Sequence, residues 1–305
     1  MSDRNNKIGF IGMGMMGGGM AANLLKAGFE MVAYDIDASK NERFAGLGAT
    51  IGNGPAGVAQ SASTVICIVE TSAQVREVVL GDGGILEGAQ EGDIFVCSAT
   101  VDPIMVKELH DLLAQKGIRM LDAPVSGGVP RADSGELSII VGGDAEVVEA
   151  CRPYFEAMSA KVFHMGGIGQ GLAMKLCNNM ITQVTRVVIA EAMALGTKAG
   201  LDPQEMVDVI SVSTGNSASF QSVAPRMLSG DFSPGGTIDI SYKDQELETA
   251  FAKALGVPMF MAAASQQVYQ MGRAAGLNKN DGSSLVTLYE KMTGITSWAA
   301  GPTVT

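Results

Sequence analysis

Short apolar runs at about 7–11, 30–35, 63–69, 93–97 and 118–122 alternate with segments at 15–27, 72–79 and 102–115 that read as helices. Strands alternating with helices predict a mostly parallel sheet covered on both faces. Two further short strands, Leu137–Val141 and Lys161–His164, flank a helix over 145–158 and are expected to extend the same sheet. After His164 the pattern changes. Gly166, Gly167, Gly169 and Gly171 form a hinge-like cluster, and almost nothing beyond it reads as strand. Residues 172–199 hold one glycine, Gly196, and no proline, which predicts one long connecting helix. Helical windows recur at 203–212, 218–228, 243–255, 258–275 and 282–292, the first of them opened by Asp202-Pro203. The expectation is an α/β domain over residues 1–165 and an all-α domain over 166–305, joined by the long interdomain helix. Gly301–Thr305 reads as a frayed tail.

A chain of 305 residues has room for two such domains. Its charge narrows the function classes: 21 Lys and Arg against 32 Asp and Glu give a net −11, without the basic footprint that nucleic acid requires. The 39 glycines show no triplet period and belong to turns and ligand contacts. Cys67, Cys97, Cys151 and Cys177 form no CxxC pair and are expected as buried free thiols in a reducing cytoplasm. His110 and His164 have no partner at metal-ligand spacing, so no metal is expected. The N-terminus imitates a signal peptide, with Arg4 and Lys7 ahead of an uncharged run from Ile8 to Ala22. Six of those fifteen residues are glycine, however, which is poor material for an exported apolar helix. The uncharged windows 44–69 and 254–272 are broken by Gly, Pro or Gln, and no membrane span is expected.

The cofactor signal lies at the first strand. Ile8-Gly9-Phe10-Ile11 runs into Gly12-Met13-Gly14-Met15-Met16-Gly17, and Met20–Lys26 follows as a helix. This is GxGxxG in the setting of a Rossmann-type fold. The first glycine permits the tight turn, the second lets the backbone approach a pyrophosphate, and the third lets helix and strand pack, with the phosphates at the helix N-terminus. A bare GxGxxG carries little weight. Here the second strand ends in Asp35, eighteen residues after Gly17 and near the spacing at which a carboxylate accepts from the adenosine ribose hydroxyls. A solvated turn residue beside Asp37 is the other reading. Asp35 would repel a 2′-phosphate, and no Arg follows before Lys40, so NAD is predicted over NADP.

Two further segments carry polar residues that an ordinary loop does not need. Asp122-Ala123-Pro124-Val125-Ser126-Gly127-Gly128 follows the C-terminal end of a strand, the edge on which parallel sheets bind ligands. The Ser126 hydroxyl and nearby N–H groups could hold a carboxylate, or the segment is a tight structural turn. Gly169–Asn179 opens the long helix, where Lys175 and Asn179 lie four residues apart, about 40° around the axis. One cation and one amide would then face the interdomain cleft as catalytic groups, or Lys175 is a snorkelling surface lysine.

In these motifs, with Lys243-Asp244, the chain resembles the β-hydroxyacid dehydrogenases, relatives of 6-phosphogluconate dehydrogenase that include 3-hydroxyisobutyrate dehydrogenase and tartronate semialdehyde reductase. The resemblance covers nearly the whole chain. It implies Lys175 as the catalytic residue and Ser126, Gly127, Gly128, Asn179 and Lys243 as substrate-binding. It also implies a cofactor held by Gly12, Met13, Gly14, Met15, Met16, Gly17 and Asp35, with Val69-Glu70 beside it and Thr100 and Lys243 at its nicotinamide end. The implied activity is NAD-dependent interconversion of a small carboxylate-bearing β-hydroxy acid with its semialdehyde or ketone, by a homodimer or homotetramer. Three residues depart from the family pattern: Glu70, Ala99 and Gln245. The C-terminal third, through 229–232 and 292–294, looks most like 2-(hydroxymethyl)glutarate dehydrogenase, while Gly215-Asn216-Ser217 is similar to L-threonate dehydrogenases. The rival readings are an imine reductase-like enzyme and a non-catalytic cofactor-binding paralogue. Both would be expected to lose the lysine. A serine hydrolase built on Ser126 fails because the segment is not GxSxG.

Overall fold

The structure is a computed structural model describing residues 3–295 and Trp298; the tail expected at 301–305 lies outside the described residues. The chain divides into two compact units, Met1–Leu176 and Cys177–Thr305.

In the first unit, β1 (Lys7–Ile11), α1 (Met15–Lys26), β2 (Glu30–Tyr34), α2 (Ala38–Gly46), β3 (Thr50–Ile51), α3 (Pro55–Ser61) and β4 (Thr64–Cys67) come first. They are followed by α4 (Ser72–Leu80), α5 (Ile85–Gly88), β5 (Ile94–Cys97), α6 (Pro103–Ala114) and β6 (Arg119–Asp122). The six strands pair in parallel in the order β3-β2-β1-β4-β5-β6. That order is the dinucleotide-binding one, with its reversal between β1 and β4. Strands β4 and β5 are buried throughout because helices cover both faces of the sheet. The two-residue period divides them between two cores: Ile66, Ile94 and Val96 pack with Phe10, Leu24 and Phe155, whereas Val65, Cys67 and Phe95 pack with Val79, Leu109 and Leu113.

The later strands do not extend this sheet. With α7 (Gly128–Ser134) and α8 (Ala145–Met158), β7 (Val125–Ser126), β8 (Leu137–Val141) and β9 (Ser159–His164) complete the α/β part as a separate sheet in the order β7-β8-β9. Its β7–β8 pair is antiparallel. Just past β8, Gly142 makes an isolated antiparallel bridge with Asp122 at the end of β6, and the parallel ladder stops at β6.

Helix α9 (Gln170–Lys198) has 29 residues, about 43 Å at 1.5 Å per residue. The second unit continues through α10 (Pro203–Ser211), α11 (Ala218–Ser229), α12 (Ile238–Leu255), α13 (Phe260–Ala274), a 3-10 turn over Gly282–Leu285, and α14 (Val286–Thr293). The side chains of Asp202, Ser217 and Thr237 accept from N–H groups in the first turns of α10, α11 and α12. The Thr237 cap starts α12 at Ile238, ahead of the expected 243. Phe220, Val223 and Met227 of α11 pack on Ile189 and Met193 of α9.

All four cysteines are free, but Cys177 is exposed on α9 rather than buried as expected. Burial pushes the Cys97 and Cys151 thiols up to about 12, so neither is a ready nucleophile. Among the described residues no helix is long and apolar enough to cross a membrane, and no three His, Cys, Asp or Glu side chains cluster to hold a metal ion.

Candidate active site

The loop from β1 into α1 has the shape a dinucleotide needs. Gly12 adopts φ +93°, a conformation that L side chains rarely take, and a Cβ there would strike the Ile68 carbonyl of the neighbouring strand's exit. A Cβ on Gly17 would fall against the Gly12 carbonyl. At Gly14, by contrast, a Cβ would meet nothing within 4 Å, so this glycine borders open space at the N-terminus of α1. The first turn of α1 carries no acidic residue and no side-chain cap. Its N–H groups and dipole therefore suit a phosphate, and the site fits a dinucleotide. Met13 is buried beneath the loop, Met16 packs on the core, and Met15 faces out.

Asp35, just past β2, is buried. Its Oδ2 accepts from the Met13 N–H at 2.7 Å and its Oδ1 from the Asp37 N–H at 2.9 Å, which ties the carboxylate to the glycine loop. A solvated turn residue would show neither the burial nor the bond to Met13. Val69-Glu70 follows β4 and Thr100 follows β5, both at the C-terminal sheet edge. The Glu70 N–H donates to Gln74 Oε1 at 2.9 Å, within the capping box that starts α4.

The segment from Asp122 to Gly128 turns sharply: Ser126 ends β7 half-buried, and Gly127 and Gly128 have φ of +141° and +73°. Asp122 itself is fully buried. Its Oδ1 accepts from the Gly169 N–H and its Oδ2 from the Leu172 N–H, each at 2.7 Å, so it caps the start of α9. Sequence reasoning placed Asp122 in a motif but missed this task, because the partners lie about fifty positions away. Burial pushes its carboxyl up, against the pull of backbone N–H groups led by Gly169. Lys175 sits one turn beyond that cap and is 8% exposed, unlike a snorkelling surface lysine.

In the second unit, Asn179 Nδ2 donates to Asp244 Oδ2 at 2.7 Å, and Lys243 Nζ lies 3.1 Å from Asp244 Oδ1. Asp244 thus gathers two of the expected residues. One turn further along α12 lies Glu248, which is buried and absent from the sequence expectations. The Gln245 departure is buried as well, its Nε2 donating to Ser265 Oγ at 3.1 Å. Burial, then the Asp244 charge, pushes the Glu248 carboxyl up to about 9 from an ordinary 4.5. Between those values the folded chain holds a proton that the unfolded chain has released, so stability falls as pH rises across this window. Glu248→Gln, which cannot ionise, is expected to lose less melting temperature than wild type between pH 5 and pH 8; equal losses would refute it.

The chain is similar to known proteins over nearly its whole length. Residues 7–167 match the family described as the NAD binding domain of 6-phosphogluconate dehydrogenase, and residues 169–289 the one described as NAD-binding of NADP-dependent 3-hydroxyisobutyrate dehydrogenase. A 2-(hydroxymethyl)glutarate dehydrogenase of Eubacterium barkeri is 34% identical over 294 residues, covering 96% of this chain and 98% of that one. An L-threonate dehydrogenase of Cupriavidus necator is 36% identical over 286 residues, covering 93% and 96%. The solved 3-hydroxyisobutyrate dehydrogenase of Mycobacterium tuberculosis with L-serine has a TM-score of 0.87 at 31% identity, covering 93% and 99%. Since both family matches follow in order along the chain, and the relatives align almost end to end, the protein belongs to the NAD-dependent β-hydroxyacid dehydrogenases.

Proposed function

We propose that this chain oxidises the hydroxyl on the carbon β to the carboxylate of a small acid, with Lys175 as general acid/base. The observation that carries the reading is a buried amine one turn past a helix start that Asp122 fixes, in the same compact unit as the Ser126–Gly128 turn. 2-(Hydroxymethyl)glutarate, L-threonate and L-serine, in the names of the relatives, share that pairing of carboxylate and β-hydroxyl. NAD, when bound on the Gly12–Gly17 loop and Asp35, supplies the hydride acceptor at nicotinamide C4. As the carbinol hydrogen leaves with its electron pair, Lys175 Nζ takes the hydroxyl proton; in reduction the ammonium returns it. Ser126 Oγ and the Gly127 and Gly128 N–H groups hold the carboxylate, and Asn179, oriented by Asp244, steadies the reacting oxygen. Val69, Glu70 and Thr100, at the C-terminal edge of the sheet, would border the cofactor. The test is NADH production with 3-hydroxyisobutyrate, L-threonate, D-glycerate and 2-(hydroxymethyl)glutarate. Turnover of at least one is expected, and turnover of none with either cofactor would overturn the reading.

We further infer a homo-oligomer, dimer or tetramer, in a reducing cytoplasm. Four free thiols, one of them exposed, suit that compartment. On α9, Met174, Ile181, Val188 and Leu195 recur every seven residues and are 39, 63, 47 and 74% exposed. Such a seam fits a second helix with the same period, which a second copy would supply. Light scattering should give at least a dimer mass for the wild type and a smaller species for Ile181→Glu/Leu195→Glu. A monomeric wild type would remove the seam's role.

A further inference from the structure

Near the adenosine end of the cofactor site the charges are not those of a bare acidic residue. Lys40, in the first turn of α2, places its Nζ 3.4 Å from Asp35 Oδ1 and 3.5 Å from Oδ2, across the face of the carboxylate, and 3.9 Å from Asp37 Oδ2. These distances are long for a locked ion pair, and the lysine side chain is 36% exposed, so the ammonium borders solvent on the side from which a second anion can approach. The two carboxylates are meanwhile occupied. Asp35 accepts from the Met13 and Asp37 N–H groups, and Asp37 Oδ1 accepts from the Ser39 N–H at 3.0 Å and the Ser39 hydroxyl at 2.6 Å. The Asn41 amide fixes the turn by pairing with the Asp35 N–H at 2.9 Å and the Asp35 carbonyl at 2.7 Å. Asp35 is therefore held in place by short bonds from backbone donors as well as by the longer contacts to Lys40, so its position does not depend on the lysine alone.

We propose that Lys40 is a specificity-determining residue that offsets the Asp35 charge and lets a dinucleotide bearing a 2′-phosphate bind beside the 2′-hydroxyl form. The inference rests on the reading of Asp35 as the ribose-binding residue. Asp35 keeps the preference for NAD, and Lys40 limits its size. A 2′-phosphate is close to dianionic, whereas the 2′-hydroxyl is neutral, so removing one cation from this position acts on the first and spares the second.

Titration of NADH and NADPH fluorescence with the full-length chain tests this without turnover. In Lys40→Ala the NADPH Kd is expected to rise about tenfold or more while the NADH Kd stays within about twofold, and Lys40→Arg should restore most of the NADPH affinity. Raising the salt concentration should weaken NADPH more than NADH in the wild type and erase the effect of Lys40→Ala. An unchanged NADPH Kd in Lys40→Ala, or an equal loss for both dinucleotides, overturns the proposal. Asp35→Asn separates it from the underlying reading: a weaker NADH Kd is expected, and an unaltered one would show that Asp35 does not hold the ribose, whatever Lys40 does. Binding of neither dinucleotide to the wild type would end both.

Discussion

Lys175→Ala is expected to lower kcat by about 10²- to 10⁴-fold, the range general acid–base catalysis supplies, while NADH binds with an unchanged Kd. The separation follows from where the residue lies. The proposed cofactor elements, Gly12–Gly17 and Asp35, belong to the edge formed by β1 and β2, and Asp35 is tied to the loop by bonds to Met13 and Asp37, not to α9. Lys175 instead sits beyond the Asp122 cap on α9, where truncation removes the proposed proton acceptor and leaves the helix intact, since alanine is a good helix former. Lys175→Arg is the sharper variant. It keeps the charge and bulk, but a guanidinium remains protonated and cannot take a proton, so its oxidative kcat should fall nearly as far as that of the alanine variant. Wild-type turnover in either variant would remove Lys175 from the chemistry.

What could be read in the sequence depended on how local each signal was. The strands β1, β2, β4, β5 and β6 are apolar runs bounded by turns, and a sheet buried on both faces makes such runs plain. The glycine loop was legible for the same reason, since its glycines all fall within six residues of the strand end. Helix α2 was not legible: among its nine residues only Phe44 is buried, so no apolar stripe marks it. The two-residue β3 lies below any periodicity. The separate sheet of β7, β8 and β9 was misassigned because strand patterns reveal apolar faces and not partners, and a single bridge at Asp122 decided the matter. The polar residues of α12 show the limit most clearly. Asp244 was seen as the neighbour of Lys243, but its bond to Asn179 spans 65 positions, and Glu248 looks from sequence like any solvated glutamate. The glycine cluster at 166–171 was expected to act as a hinge. A Cβ on Gly171 would instead collide with the Ile140 carbonyl, so that glycine serves a close approach of α9 to β8.

That close approach makes Asp122 the site of the second large effect. Asp122→Ala is expected to lower stability by about 2–6 kcal/mol, because it strands two buried N–H groups, on Gly169 and Leu172, at about 1–3 kcal/mol each. Against a total of roughly 5–15 kcal/mol for an ordinary domain, that loss threatens folding itself. Asp122→Asn is the informative variant, since it preserves volume. Its amide offers one acceptor oxygen, and its NH₂ would meet the second backbone N–H donor to donor. The first turn of α9 should then fray while the sheet persists, giving faster hydrogen exchange over 169–175 and near-normal exchange in β1 and β4. Lys175 rides on that turn, so kcat should fall well beyond any change in the KM for NAD. The KM would stay because the glycine loop and Asp35 are anchored at β1 and β2 and share no hydrogen bond with Asp122. Should Asp122→Asn melt at the wild-type temperature with unaltered kcat, the helix start would not depend on this carboxylate, and the link from β6 to the catalytic amine would be lost.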